Sequence, residues 1–259
     1  MATARAESAL AAAVRADGDV KLIPYLMAGY PDRDRSIELG RMYARCGAAA
    51  IEVGIPFSDP LADGPVIQRV GKAALDGGMT TAGALAVAGT VAEVGVPVVL
   101  MTYVNPLLAY DARRFAADAA RAGVRGVILV DLPPEEAGPI LDWLRAAGLD
   151  TVFLVAPTSP DPRIEMCAAA STGFIYCVSV TGVTGVRDDL DPRVEHLLVR
   201  VRRLTDLPLA VGFGISRPEH VRALRGQADA AVVASALMNE VQEGRDPQPL
   251  FERLVNAWR

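Results

Sequence analysis

The chain has 259 residues, 51% of them hydrophobic, and a formal net charge of −5; that is apolar material for one sizeable core, and no run of Lys or Arg marks a nucleic-acid face. No stretch reaches the ~18 uncharged apolar residues of a membrane span, and Arg5 and Glu7 break the alanine-rich start too early for a signal peptide. Three widely spaced cysteines (Cys46, Cys167 and Cys177), no CxxC and only two histidines, His196 and His220, argue for reduced thiols in a cytoplasmic chain and against a metal site or a histidine-based triad.

A short helix leads, over residues 4–16. Residues 22–28 read as a first strand, ended by Gly29 and Pro31, and Asp34 caps a helix through Cys46. Residues 48–68 organise the rest. An apolar strand is interrupted there by one carboxylate, Glu52. It feeds a loop punctuated by Pro56, Ser58, Asp59, Pro60, Gly64 and Pro65, with a second carboxylate, Asp63, near its end. A helical piece follows over 65–75, and Thr80 or Thr81 opens the next helix, to about residue 94. Strand 97–101 runs into a loop over 102–106, and Asp111 starts a helix to residue 122. Strand 126–130 closes at Asp131-Leu132-Pro133-Pro134, and a helix over 134–147 stops at Gly148. After strand 151–155, Asp161 as N-cap and Pro162 as first helical residue open a helix to residue 170. Strand 174–178 leads into a Gly-rich loop over 180–186, and Asp191-Pro192 starts a helix to residue 204. Strand 208–211 leads to Gly212-Phe213-Gly214, and Ser216 and Glu219 have the spacing of a capping box for a helix to residue 224. Strand 230–233 leads to Ala234-Ser235 and a short helical segment, and Asp246-Pro247 opens the last helix, to residue 258.

These are about eight strands, each followed by a helix. The strands are continuous apolar runs rather than alternating ones, as in a parallel sheet covered on both faces. In this length the pattern predicts one (β/α)8 TIM barrel over residues 1–259, with an extra N-terminal helix. An open doubly wound sheet would carry a GxGxxG after the first strand, and Gly29-Tyr30-Pro31 is not one.

The catalytic face of such a barrel lies where strands end and βα loops begin. Glu52 falls late in its strand, so it is a buried acid of raised pKa, fit for proton transfer, or one half of an ion pair, or an acid turned outward toward a helix. Asp63 is a second functional carboxylate or the N-cap of the following helix; Asp59 has the setting of a turn residue. The loops after the seventh and eighth strands, Gly212-Phe213-Gly214 and Ala234-Ser235, sit where these barrels often bind phosphate through backbone N–H groups. Tyr25, Met101, Ile128, Leu154, Tyr176 and Phe213 come near strand ends, where each either packs the core or lines an apolar slot for a flat ligand.

The run Glu52-Val-Gly-Ile-Pro-Phe-Ser-Asp-Pro-Leu-Ala-Asp63-Gly-Pro-Val-Ile-Gln68 closely resembles the signature of the tryptophan synthase alpha chain family. The resemblance extends through Pro24-Tyr25, Met101-Thr-Tyr-Val-Asn105-Pro106, Asp131-Leu-Pro133, Thr181-Gly-Val-Thr184-Gly185 and Gly212-Phe-Gly-Ile-Ser216, in order. It implies a barrel that cleaves indole-3-glycerol phosphate to indole and glyceraldehyde 3-phosphate. It further implies work beside a pyridoxal-phosphate-dependent beta chain in an alpha-beta-beta-alpha heterotetramer, with no metal or organic cofactor in this chain. By resemblance Glu52 is the acid/base, Asp63 stabilises the ring N–H, and Tyr176 stands near the catalytic acid. Tyr25, Met101, Ile128, Leu154 and Phe213 match the indole pocket. Thr184, Gly185, Gly212, Gly214, Ala234 and Ser235 match phosphate-facing loops, Thr184 also a closing loop, and Asp59, Asn105 and Pro133 match positions that meet the beta chain.

Two positions depart from the family pattern. Tyr25 stands where Phe is common, which adds a hydroxyl to the pocket wall. Ala234 stands where Gly is usual, so a positive φ there would be strained. A barrel that has lost catalysis and only activates a beta chain is the alternative, which intact Glu52 and Asp63 oppose; another phosphosugar barrel enzyme, such as an isomerase, would need a different acid/base pair.

Overall fold

The computed structural model describes residues 7–178, 192–212 and 214–257. Eight parallel strands close into a barrel in sequence order, β1 Lys21–Met27, β2 Ile51–Gly54, β3 Val98–Thr102, β4 Gly126–Leu129, β5 Asp150–Val155, β6 Ile175–Val178, β7 Leu209–Gly212 and β8 Ala230–Val233, with β8 returning to pair with β1. Around them run α1 Ala9–Val14, α2 Arg33–Arg45, α3 Pro65–Asp76, α4 Thr81–Ala92, α5 Val104–Tyr110, α6 Ala112–Arg121 and α7 Gly138–Ala146. Then come α8 Asp161–Ala170, α9 Pro192–Leu204, α10 Pro218–Ala223, α11 Ser235–Gln242 and α12 Gln248–Val255. The predicted (β/α)8 barrel with its leading helix is the observed architecture.

The strands are buried on both faces, which is why they read as unbroken apolar runs. Strand geometry sends alternate side chains to opposite faces. One set, which includes Ile23, Ala50, Val99, Ile128, Val152, Tyr176, Ala210 and Val232, packs into a single inner cluster. The other set joins the larger layer between strands and helices. Helix α1 plugs the end where the strands begin. Its Leu10 and Val14 belong to the inner cluster, and a Cβ added at Gly126 or Gly173 would stand 2.8 or 3.0 Å from Leu10 Cδ2. Burying a leucine of this kind contributes roughly 1.5–3 kcal/mol.

Several local expectations are corrected. Asp32, not Asp34, caps α2, accepting from the Arg35 N–H at 2.8 Å. Residues 104–106 are not loop but the start of α5; Pro106 is tolerated because the N–H groups of a first helical turn have no partner to lose. Helix α7 starts at Gly138 because residues 133–137 form tight turns closed by Glu136 and Ala137 N–H bonds to Pro133 and Pro134. At α8 the cap is Pro160; the carboxylate of Asp161 is held instead by Arg200 at 2.6 and 2.8 Å. No capping box forms at α10, whose N-cap is Arg217, while Glu219 pairs with Arg222. Asp246-Pro247 does open α12, with Pro247 at the N-cap position and the Asp246 carboxylate accepting from the Gln248 N–H at 3.1 Å, but the helix ends at Val255 rather than at residue 258.

Candidate active site

The site is assembled where β1, β2 and β3 end. Glu52 lies in register between Tyr25 of β1 and Val99 of β3. It shares a strand face with Ala50, so its side chain points into the barrel. It is 1% exposed. It has no basic partner, and its Oε2 finds no hydrogen-bond donor among the described residues. Burial, and then the nearby charge of Asp63, push its carboxyl up to about 8. The ion-pair alternative is thereby removed.

Asp63 is not a helix cap either. The N-cap of α3 is Gly64, which makes no side-chain bond, followed by Pro65. The Asp63 carboxyl instead lines a pocket with Tyr25, Met27, Ile67, Met101 and Tyr103. Burial raises it to about 6, against the lowering effect of a hydrogen bond from the Tyr103 hydroxyl. Glu52 is not in the pocket wall. It lies two residues below the Gly54–Met101 level, on the same strand face.

Tyr103 carries a role that the sequence reading did not assign. Its hydroxyl accepts the Ala62 N–H at 3.0 Å and lies with Asp63 in the pocket wall, and its ring stacks obliquely on Phe57 with centroids 5.1 Å apart. It thus ties the loop after β2 to the end of β3. The Gln68 side chain holds the same loop from below, donating to the carbonyls of Asp63 at 2.9 Å and Pro60 at 3.3 Å. A tyrosine directly after a strand at the catalytic end was the available signal.

Two glycines are explained by tyrosines. A Cβ on Gly54 would sit 1.9 Å from the Tyr25 hydroxyl, and one on Gly212 would sit 2.3 Å from the Tyr176 hydroxyl. Both phenols are fully buried, and burial first, then the charges of Glu52 and Asp63, raise them well above the ordinary tyrosine range. Met101, Ile128, Leu154 and Tyr176 meet in or against the inner cluster, with Met101 opposite Ile128 and Leu154 opposite Tyr176. Sequence reasoning missed Met27 and Ile67 of the pocket.

On the far side, Gly214 is exposed with φ +80°, a conformation that suits glycine. Ser235 is exposed as the first residue of α11, capped by Ala234 with φ −110°. The alanine methyl therefore imposes no left-handed strain. Phe213, Thr184 and Gly185 lie outside the described residues. Asp59 and Asn105 are exposed and Pro133 is half-buried, on the loops or first turns after β2, β3 and β4. Those segments are joined by the Ala62–Tyr103 bond and by the Val104 N–H donating to Asp131 at 2.8 Å. Leu61, 93% exposed, stands on the same rim. No group of three His, Cys, Asp or Glu among the described residues is placed to hold a metal, and no described helix is long and apolar enough to cross a membrane.

A buried and a half-buried acid, both of raised pKa, beside an apolar slot can protonate and deprotonate a flat ligand while one of them stays ionised. Comparison with known proteins gives this chemistry its family. The family model for the tryptophan synthase alpha chain matches residues 11–256. The tryptophan synthase alpha chain of Solibacter usitatus is 50% identical over 239 residues, 92% of this chain and 90% of its own. That of Roseiflexus sp. (strain RS-1) is 49% identical over 232 residues, 89% of each chain. Among solved structures, tryptophan synthase from M. tuberculosis in an open form superposes with a TM-score of 0.89 at 35% identity, covering 97% of this chain and 98% of that one. A mutant tryptophan synthase alpha-subunit from Pyrococcus furiosus superposes with a TM-score of 0.86 at 38% identity, covering 92% and 99%. The chain belongs to the tryptophan synthase alpha chain family and is a lyase that cleaves indole-3-glycerol phosphate in the alpha reaction of tryptophan biosynthesis.

Proposed function

We propose that Glu52 is the catalytic acid/base and Asp63 the electrostatic partner of the indole ring. The observation that carries this is the buried, unpartnered Oε2 of Glu52 below a pocket walled by Asp63. Between about pH 6 and 8 the pair holds one proton, with Glu52 neutral and Asp63 ionised. Neutral Glu52 gives its proton to C3 of the indole ring, which turns the ring into a leaving group. Positive charge then appears at the ring nitrogen, whose N–H faces the Asp63 carboxylate; a fixed anion there lowers the barrier. The Glu52 carboxylate next takes the proton of the glycerol hydroxyl adjacent to the ring. The C–C electron pair returns to the ring, indole leaves, and the remaining carbon becomes the aldehyde of glyceraldehyde 3-phosphate. Glu52 ends as it began, protonated.

Tyr103 positions Asp63, and Tyr176 covers the acid from across the barrel. Tyr25, Met101, Ile128, Leu154 and Phe213 wall the ring. Gly212, Gly214, Ala234, Ser235, Thr184 and Gly185 serve the phosphate end, Ser235 through the free N–H groups of the first turn of α11. The proton inventory of the two acids balances the reaction with no metal or organic cofactor in this chain. Pyridoxal phosphate belongs to the beta chain, which meets the rim of Asp59, Asn105 and Pro133 in an alpha-beta-beta-alpha assembly. The exposed Leu61 and the linked loops of that rim support the docking. The chain acts as one cytoplasmic barrel domain.

The deciding experiment is Glu52→Gln, which keeps shape and removes the proton. Indole release from indole-3-glycerol phosphate should fall by at least ~100-fold with the fold intact; near-normal turnover removes the mechanism. Running the assay with and without a beta chain separates an enzyme from a mere activator.

A further inference from the structure

Tyr25 carries a hydroxyl that the reaction above does not use. The side chain is 2% exposed. Among the described residues its hydroxyl proton has one partner, the thioether of Met27 at 3.7 Å, and sulfur of that kind is a weak acceptor. Among the described residues no N–H or O–H group donates to the phenol oxygen. Yet the hydroxyl is held in place: it lies over Gly54, where a Cβ would come within 1.9 Å of it. Its ring lines the same pocket as Asp63, Met101 and Tyr103. Glycine at position 54 thus makes room for a phenol whose oxygen receives no donor from the described residues. Burial and the neighbouring Asp63 and Glu52 charges keep that phenol protonated and neutral. A buried oxygen without a donor carries a desolvation cost that a suitable ligand group can relieve.

We propose that Tyr25 is a specificity-determining residue whose hydroxyl receives a hydrogen-bond donor on the benzo edge of the aromatic ligand, so that the slot favours hydroxy- or amino-substituted indole rings over methyl-substituted rings of the same size. The inference rests on the indole-slot reading above. On that reading Asp63 anchors the ring nitrogen, and Tyr25 lines the same pocket. A methyl group has the volume of a hydroxyl but leaves the Tyr25 oxygen unpaired, and a site built around a polar group discriminates on that basis.

The test is competition binding of indole and of hydroxyl/methyl pairs substituted at ring positions 5, 6 and 7, in the native chain and in Tyr25→Phe. In the native chain at least one position should favour hydroxyl over methyl by ~10-fold or more, falling to about 2-fold or less in Tyr25→Phe. Equal hydroxyl/methyl ratios in the two chains at all three positions overturn the proposal. Met27→Leu keeps the phenol and removes the thioether; it should retain the preference, and a loss as large as that in Tyr25→Phe would show the phenol acting through packing, which also overturns it. If unsubstituted indole binds neither chain, the slot itself is wrong, and this proposal falls with it. Binding of indole with flat hydroxyl/methyl ratios sinks the Tyr25 inference alone.

Discussion

Two buried acids at opposite ends of the barrel have contrary surroundings. Asp229, just before β8, is 7% exposed. Its carboxylate accepts from Arg202 at 2.6 Å, from the Leu209 N–H at 2.8 Å and from the Ala16 N–H at 3.2 Å. Its own backbone carbonyl accepts from Lys21 at 2.9 Å. It stitches the start of β7, the start of β1 and the segment after α1 into one closed end. Glu52 is more deeply buried and has an oxygen with no donor among the described residues. A carboxylate surrounded by donors is a structural tie; one deprived of them is held ready to take and give a proton. The same residue class therefore ties segments together at one end of the fold and, on the mechanism proposed above, moves protons at the other.

Exchanging each acid for its amide sharpens this contrast. Glu52→Gln should lose ~10²–10⁴-fold in kcat, the range for a general acid/base, while its stability rises relative to the native chain as pH increases. The sign follows from a folded pKa of about 8 against an unfolded value of 4.5. The native fold binds the extra proton, so the native chain loses stability between those two values and the amide does not; the difference should approach about 5 kcal/mol above pH 8. Denaturant melts of both chains at pH 5 and pH 9 measure it, and parallel curves would show that Glu52 is not held neutral by the fold.

Asp63→Asn should cost ~10²–10³-fold in kcat with a smaller change in KM, because the fixed charge matters most when the ring becomes cationic. In the native chain kcat/KM should fall below about pH 6 and above about pH 8, and the lower limb should disappear in Asp63→Asn. A lower limb that survives would assign that ionisation elsewhere.

Asp229→Asn should do the reverse of Glu52→Gln. It should destabilise by about 1–3 kcal/mol, since Arg202 and two N–H groups lose a charged acceptor, and leave turnover per folded molecule unchanged. A drop in kcat at unchanged fraction folded would break the division between the two ends.

Tyr103→Phe is the mildest change. Losing its bond to Ala62 and its hydroxyl beside Asp63 should lower kcat by about 3–10-fold, as expected of a residue that places the carboxylate proposed to face the ring, and should move the lower pH limb upward because the hydroxyl that lowers the Asp63 pKa is gone. An unmoved limb would mean that the hydroxyl does not govern Asp63.

The barrel was legible before any coordinates because eight short apolar runs between helical stretches admit few arrangements. Capping was harder to read. Asp161 looks like a cap but faces Arg200, a residue 39 positions away. The 104–106 segment looks like a loop because proline usually breaks helices, and a first helical turn is the exception. The candidate acids were visible by type and place, while their alternatives were not separable. Asp63 as a cap and Asp63 as a pocket wall look identical until Gly64 is seen at the cap.

From residue order alone came the strands, their covering helices, and the thermodynamic oddity of Glu52 in an apolar run, because these depend on neighbours a few positions apart. The inward turn of Glu52, its lack of a donor among the described residues, the seats that Gly54 and Gly212 provide for two phenols, and the Tyr103 tie were decided only by the tertiary structure. Strands buried on both sides look the same from either face, and whether a buried oxygen meets a donor depends on atoms brought together from distant segments of the chain.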